Sequence, residues 1–267
     1  MDWTKQGGSM AEGYQGFLVP AMFEPCAEAV LDAAGLRPGA DVLDVECGTG
    51  AMSRAAAARV GPDGSVVGVD LAPPMLEIAR TQGGDRIEYR QGDALALPVD
   101  DAAFDVAICQ HGFQFFPDRP AALGEMVRAL RPGGQVAIAC WTRLDDSPSF
   151  TVMIPALVAA LGEEQAGAMR MPFSVGPDDL EALLDGAGLD DVTVREAEVP
   201  AAFAGEPGEV ATRAIMSGPL GAQFQELPQE DRDAFAAQVG GDLAGYADDG
   251  YLRVPMFTTI ATAQTPA

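Results

Sequence analysis

Positive charge is scarce in this sequence. Lys5 is the only lysine, arginine supplies the other 15 of 16 basic residues, and 40 acidic side chains leave a formal net charge of -24. A surface this anionic repels phosphate backbones and acidic lipid headgroups, so no nucleic acid and no membrane is expected as a partner. Histidine occurs once, as His111, and the four cysteines (Cys26, Cys47, Cys109 and Cys140) stand apart with no C-x-x-C pair. A structural zinc site needs about four clustered ligands, so no metal site is expected. No stretch approaches the ~18 apolar residues that span a bilayer. Met1 to Met10 is polar and lacks an apolar run, so no secretory leader is read there and the expected location is cytoplasmic.

What remains is the composition of a globular chain, with 48% hydrophobic and 21% charged residues over 267 positions. From residue 41 the pattern is regular. Short apolar runs predict strands at Asp41–Val45, Ser65–Asp70, Arg86–Gln91, Phe104–Cys109 and Gln135–Trp141. Between them, helices are predicted at Ala51–Val60, from Pro73 to about Gln82, and at Pro120–Leu130, the last closed by Arg131-Pro132-Gly133-Gly134. Strands alternating with helices imply parallel crossovers, with helices on both faces of the sheet. Upstream, Cys26–Ala34 reads as a helix. Downstream, helices are expected at Phe150–Leu161, Asp178–Ala187, Glu209–Met216 and Gln229–Gly240, with strands at Val192–Val199 and Tyr251–Ala263. The expected fold class is therefore α/β: a seven-stranded, mostly parallel sheet, with helical material inserted before the last strand.

The most informative stretch is Val42-Leu43-Asp44-Val45-Glu46-Cys47-Gly48-Thr49-Gly50. An apolar strand runs into a glycine-rich turn that opens a helix. Glycine lets ligand atoms approach the backbone, and a helix N-terminus offers unpaired N–H groups. Asp70 ends the next strand, 20 residues beyond Gly50, where a carboxylate can accept both hydroxyls of a ribose.

In these blocks the chain resembles the class I S-adenosylmethionine (SAM)-dependent methyltransferases of the small-molecule type. The matching pieces are Val42–Gly50, Val67-Gly68-Val69-Asp70 with Met75-Leu76, Gly92-Asp93-Ala94 with Leu97-Pro98, Phe104-Asp105-Val106, and Leu130 to Gly134. The resemblance is close over Asp41–Trp141 and loose elsewhere. It implies a Rossmann-like core of about residues 39–145, 177–200 and 251–267. A helical lid would be built from about 1–38, 146–176 and 201–250, all within a single domain. It also implies roles. Asp44, Gly48 and Gly50 would hold the methionine end of SAM. Asp70 would hold the ribose, with Leu71 against the adenine. Asp93 would accept from the adenine amino group, with the Ala94 N–H beside it, and Gln110 would face the sulfonium. Tyr14, in a segment that folds over SAM in related enzymes, would touch the cofactor. Asp44 can equally tie down its loop, Gly92-Asp93 can be a plain turn, and Tyr14 can be lid packing.

One position departs from the family. The loop usually reads Asp-x-Gly-x-Gly-x-Gly, and Glu46 stands at the first glycine. Its carboxylate could accept a hydrogen bond from the SAM ammonium, repel the SAM carboxylate, or point outward. Two like charges ~4 Å apart cost ~4 kcal/mol at an effective dielectric of ~20, enough to abolish binding. The sole histidine, one residue past Gln110, is the best candidate base for removing a proton from the acceptor, against an alternative role in packing. Phe113, Gln114, Phe115 and Phe116 could wall a substrate pocket, and Trp141, Met153, Met169 and Met171 could line the lid side. The expected function is methyl transfer from SAM to a small-molecule acceptor. Arginine in place of lysine, with abundant alanine, suggests a high-GC bacterial genome, where this family often serves secondary metabolism. Two other readings stay open. One is a repurposed fold catalysing cyclisation, elimination or rearrangement; the other is a non-catalytic binding subunit. A homodimer or a heteromeric partner is compatible with the sequence.

Overall fold

The computed structural model describes residues 8–267. Lys5 and most of the Met1–Met10 stretch lie outside the described residues. The elements, in chain order, are α1 (Gly8–Gly13), a wide π-type helical segment (Tyr14–Phe23), α2 (Glu24–Ala33), β1 (Asp41–Val45), α3 (Ala51–Val60), β2 (Ser65–Asp70), α4 (Pro73–Gly83), β3 (Ile87–Gln91), β4 (Phe104–Gln110), α5 (Arg119–Ala129), β5 (Leu130–Thr142), α6 (Pro148–Leu161), α7 (Glu163–Ala166), α8 (Pro177–Gly186), β6 (Asp190–Ala204), α9 (Pro207–Met216), α10 (Gly221–Gln225), α11 (Gln229–Asp242), β7 (Ala247–Asp248) and β8 (Tyr251–Gln264).

The strand order is β3-β2-β1-β4-β5-β8-β6, with the two-residue β7 pairing antiparallel to β8. The pairs β1/β2, β2/β3, β1/β4 and β4/β5 are parallel. The order reverses between β1 and β4. There the carboxyl ends of neighbouring strands diverge and open the crevice in which such sheets bind ligands. The chain divides into two compact units. One comprises Cys26–Thr142, Pro172–Ala197 and Thr258–Ala267; the other comprises the segment ending at Pro25 with Arg143–Met171 and Glu198–Phe257.

The first of these units carries the parallel core. Val42, Leu43 and Val45 of β1, Ala107, Ile108 and Cys109 of β4, and Val136 to Cys140 of β5 are buried on both faces of the sheet, as parallel strands covered by helices must be. Local signals set the helix starts. Asp118 caps α5 by accepting from the Ala121 N–H at 3.0 Å, and Asp179 reaches back to the Gly176 N–H at 2.8 Å to start α8. Opposite the ligand crevice, Arg131 bridges Asp41 and Asp105 at 2.9 and 2.7 Å, so some of the acidic excess is paired rather than merely solvated.

Several boundaries differ from the expectation. The turn Arg131–Gly134 does not precede β5 but lies inside it. Leu130 already pairs with Phe104, and Gln135 pairs with Val106, so the four residues are an excursion held by Thr265, which accepts from the Gly134 N–H. Pro155 sits within α6 without ending it. Residues 8–23, not read as regular from the sequence, are helical. No helix among the described residues is long and apolar enough to cross a membrane.

Candidate active site

The site is built at the carboxyl ends of β1, β2 and β4. Asp70 is the last residue of β2 and only 6% exposed. Its Oδ2 accepts from the Gly48 N–H and its Oδ1 from the Ala72 N–H, both at 2.8 Å. Burial raises its pKa, and these backbone donors counteract part of that rise. The two contacts fix the carboxylate in direction, and each oxygen retains a lone pair for a ligand hydroxyl. The two loop glycines serve different ends. Gly48 has φ +56° and faces open space, whereas a Cβ at Gly50 would lie 2.4 Å from the Tyr89 hydroxyl. Open space beside a glycine, next to a fixed carboxylate, is a cradle that fits a nucleoside.

Asp44 is 1% exposed, and its Oδ2 accepts from Ser53 Oγ at 2.5 Å, which ties β1 to α3. Burial pushes its pKa up to about 7; the Ser53 hydrogen bond opposes this and the charge of Asp70 adds to it. Leu71 is 49% exposed beside Asp70, and its carbonyl accepts from Gln91 Nε2, leaving its side chain presented to solvent. Asp93 is exposed, and its Oδ1 accepts from the Leu95 N–H at 2.9 Å, so the turn geometry does exist. Ala94 and Gln110 are half-buried, Gln110 as the final residue of β4.

Glu46 does not point outward. It follows β1 with φ +59° and is half-buried. Its side chain lies along Gly112, where an added Cβ would stand 2.8 Å from Glu46 Cβ, 3.0 Å from Cγ and 3.1 Å from Cδ. Burial, then the charges of Asp70 and Asp93, hold its pKa well above the ordinary carboxylate range. Glu46, Asp70 and Asp93 are thus brought together at one mouth of the crevice.

His111 follows β4, also at φ +59°, and is 5% exposed. Its ring stacks on Trp141 with centroids 3.7 Å apart and planes within 7°. Its Nε2 meets Thr258 Oγ1 at 3.1 Å, and that hydroxyl donates to the Cys140 carbonyl. The ring nitrogen is therefore the donor, which fixes the tautomer. Burial pushes the pKa down to about 3, so the imidazole is neutral across the physiological range. Gln114 Nε2 donates to the His111 carbonyl at 2.7 Å, and Phe113 and Phe116 are buried against each other. Phe115 is half-buried. Tyr14 belongs to the other unit, half-buried in the segment 14–23, with its ring 5.1 Å from Phe23. In that unit Met153 is buried, Met169 half-buried and Met171 exposed.

Ser53, Tyr89, Gly112 and Thr258 escaped the sequence reading. Only Gly112 carried a signal, as a glycine directly after the proposed base, and its meaning depends on Glu46.

With this geometry in place, comparison with known proteins is direct. A family described as a methyltransferase domain matches residues 43–138. A nocamycin O-methyltransferase of Saccharothrix syringae is 31% identical over 247 residues, covering 85% of this chain and 86% of that protein. A demethylmenaquinone methyltransferase of Staphylococcus aureus is 33% identical over 180 residues, 62% of this chain and 74% of its own. A phosphoethanolamine N-methyltransferase of Haemonchus contortus, solved with SAM, shares the fold with a TM-score of 0.63 at 20% identity, over 99% of this chain and 58% of that one. Strand order and near full-length kinship agree: the chain belongs to the class I S-adenosylmethionine-dependent methyltransferases.

Proposed function

We propose that this enzyme methylates a hydroxyl oxygen of a small, largely apolar acceptor. The observation that carries the choice of oxygen is the reach of the kinship with the O-methyltransferase. It runs over 247 residues, far beyond the matched methyltransferase domain of residues 43–138, so it includes the segments proposed below to select the acceptor. The residues fit SAM: Asp70 would take the ribose hydroxyls, Leu71 the adenine face, Asp93 and the Ala94 N–H the adenine edge. Gly48 and Gly50 would give the methionine end its open backbone, Gln110 would face the sulfonium, and Tyr14 would close over the cofactor. When bound, SAM supplies an electrophilic methyl group, and the chain's task is alignment and removal of one proton. His111 is the candidate base. Nε2 donates to Thr258, so Nδ1 would receive the proton; burial opposes that step, and the acceptor's oxyanion would have to stabilise the imidazolium. The helical segments outside the core are proposed as the lid that selects the acceptor. The near absence of lysine supports a place in bacterial secondary metabolism, and a cytoplasmic location is proposed with it.

The test is incubation with SAM carrying a deuterated methyl, together with a panel of phenols and enols, followed by mass spectrometry of the products. Label on oxygen supports the reading. Label on carbon or nitrogen overturns the oxygen assignment, and full turnover by His111→Ala would remove the base from the mechanism.

A further inference from the structure

Glu46 and Gly112 form a pair whose residue types make sense only together. Glu46 sits at φ +59°, a backbone that glycine adopts freely and L side chains adopt at a cost. Gly112 has φ −105°, which any residue tolerates, yet a Cβ there would stand 2.8 Å from Glu46 Cβ and press on its Cγ and Cδ. The loops thus hold a side chain where the backbone favours glycine, and a glycine where the backbone would allow any residue but the Glu46 side chain leaves no room for a Cβ. β1 and β4 are adjacent, so this exchange falls at the switch point, where the crevice opens.

The carboxylate housed in this way accepts no hydrogen bond from any described residue, and the charges acting on it are Asp70 and Asp93, both of its own sign. The buried thiols Cys47 and Cys109 also feel its charge. A half-buried carboxylate facing two others is unfavourable in the protein alone and is relieved by a cation. SAM and its demethylated product carry the same ammonium, carboxylate, ribose and adenine. They differ at sulfur, which is a cation before transfer and a neutral thioether after it.

We propose that Glu46 is a charge-selecting residue of the cofactor cleft, favouring the sulfonium cofactor over the thioether product, so that loss of the methyl group loosens the product's hold. This inference depends on the methyltransferase assignment and goes beyond it, because the residue stands where the family pattern has glycine.

The experiment is calorimetric titration of wild type, Glu46→Gln and Gly112→Ala with SAM and with S-adenosylhomocysteine, in the absence of acceptor. Wild type is expected to bind SAM more tightly than the thioether. Glu46→Gln keeps the shape and removes the charge; it should cut that preference by about tenfold or more, with thioether affinity unchanged or improved. Gly112→Ala, which displaces the Glu46 side chain, should move the preference in the same direction. Equal weakening of both ligands by Glu46→Gln would assign Glu46 to the amino-acid end that they share and overturn the proposal. An unchanged preference would overturn it too. Wild-type protein that bound neither compound would bring down the cofactor assignment itself, and the proposal with it.

Discussion

The strands on either side of the crevice end alike and are used differently. β1 is followed by Glu46 and β4 by His111, each a non-glycine residue at φ +59°. His111 is engaged inside the fold: Trp141 covers its face, Thr258 accepts a hydrogen bond from its Nε2–H, and burial keeps it uncharged. Glu46 has none of its demands met, since its carboxylate faces two others. The same strained backbone thus supports an engaged ring on one side and, on the other, a carboxyl group without a hydrogen-bond partner among the described residues. Strain of this kind persists where the surrounding structure over-determines it, and it concentrates at functional sites.

The comparison can be broken from either side. The largest effect is expected at His111. His111→Gly keeps the left-handed backbone but empties the stack on Trp141. Thr258 keeps its bond to the Cys140 carbonyl and loses only the one it accepts from His111; the emptied stack should cost ~4 kcal/mol, read as a lowered urea midpoint at constant slope.

Acid titration comes next. The His111 pKa, at about 3 instead of 6.5, means that the unfolded chain binds the extra proton. Its contribution is therefore full above pH ~6.5 and lost as pH falls toward 3. Asp44, raised from 3.8 to about 7, acts in the opposite sense. Its native form holds the proton, so its contribution is greatest at low pH and declines as pH rises from ~4 to 7. Glu46 and Asp70, both raised, act in the Asp44 direction. Asp44→Asn should therefore stabilise the protein by ~3 kcal/mol at neutral pH and steepen its loss of stability between pH 6.5 and 4, measured by unfolding at three pH values.

Asp70→Ala removes the fixed acceptor of the ribose hydroxyls. It should weaken SAM binding by ~100-fold in calorimetry, since hydrogen bonds to a charged group contribute ~1.5–3 kcal/mol each. The smallest effect mirrors the first. Glu46→Gly places glycine at φ +59° and should raise stability by ~1 kcal/mol, read as a higher Tm. Destabilisation by Glu46→Gly would mean that Glu46 is held by contacts as His111 is, and the contrast would disappear.

Much of the cofactor end was legible along the chain. Strand, glycine loop, helix and terminal Asp70 lie within about 30 residues, so short-range periodicity and turn chemistry specify them. The β5 boundary was not legible, because Pro-Gly-Gly reads as a stop and only pairing of Leu130 with Phe104 carries the strand past it. The setting of His111 was hidden as well. Its sequence neighbours give its position after β4, but Thr258, 147 residues away, decides its tautomer and its burial decides its charge.

From the sequence alone came the α/β class, the cofactor loop, the acid at the end of β2 and the oddity of Glu46. These are local properties, in which residue type and spacing act through the backbone of one segment. Tertiary structure alone decided that Glu46 turns inward over Gly112 to face Asp70 and Asp93, and that His111 is walled in and neutral. The physical reason is that a side chain's charge and freedom depend on what stands across the gap from it. In a parallel sheet that neighbour comes from another strand, brought alongside by the strand order.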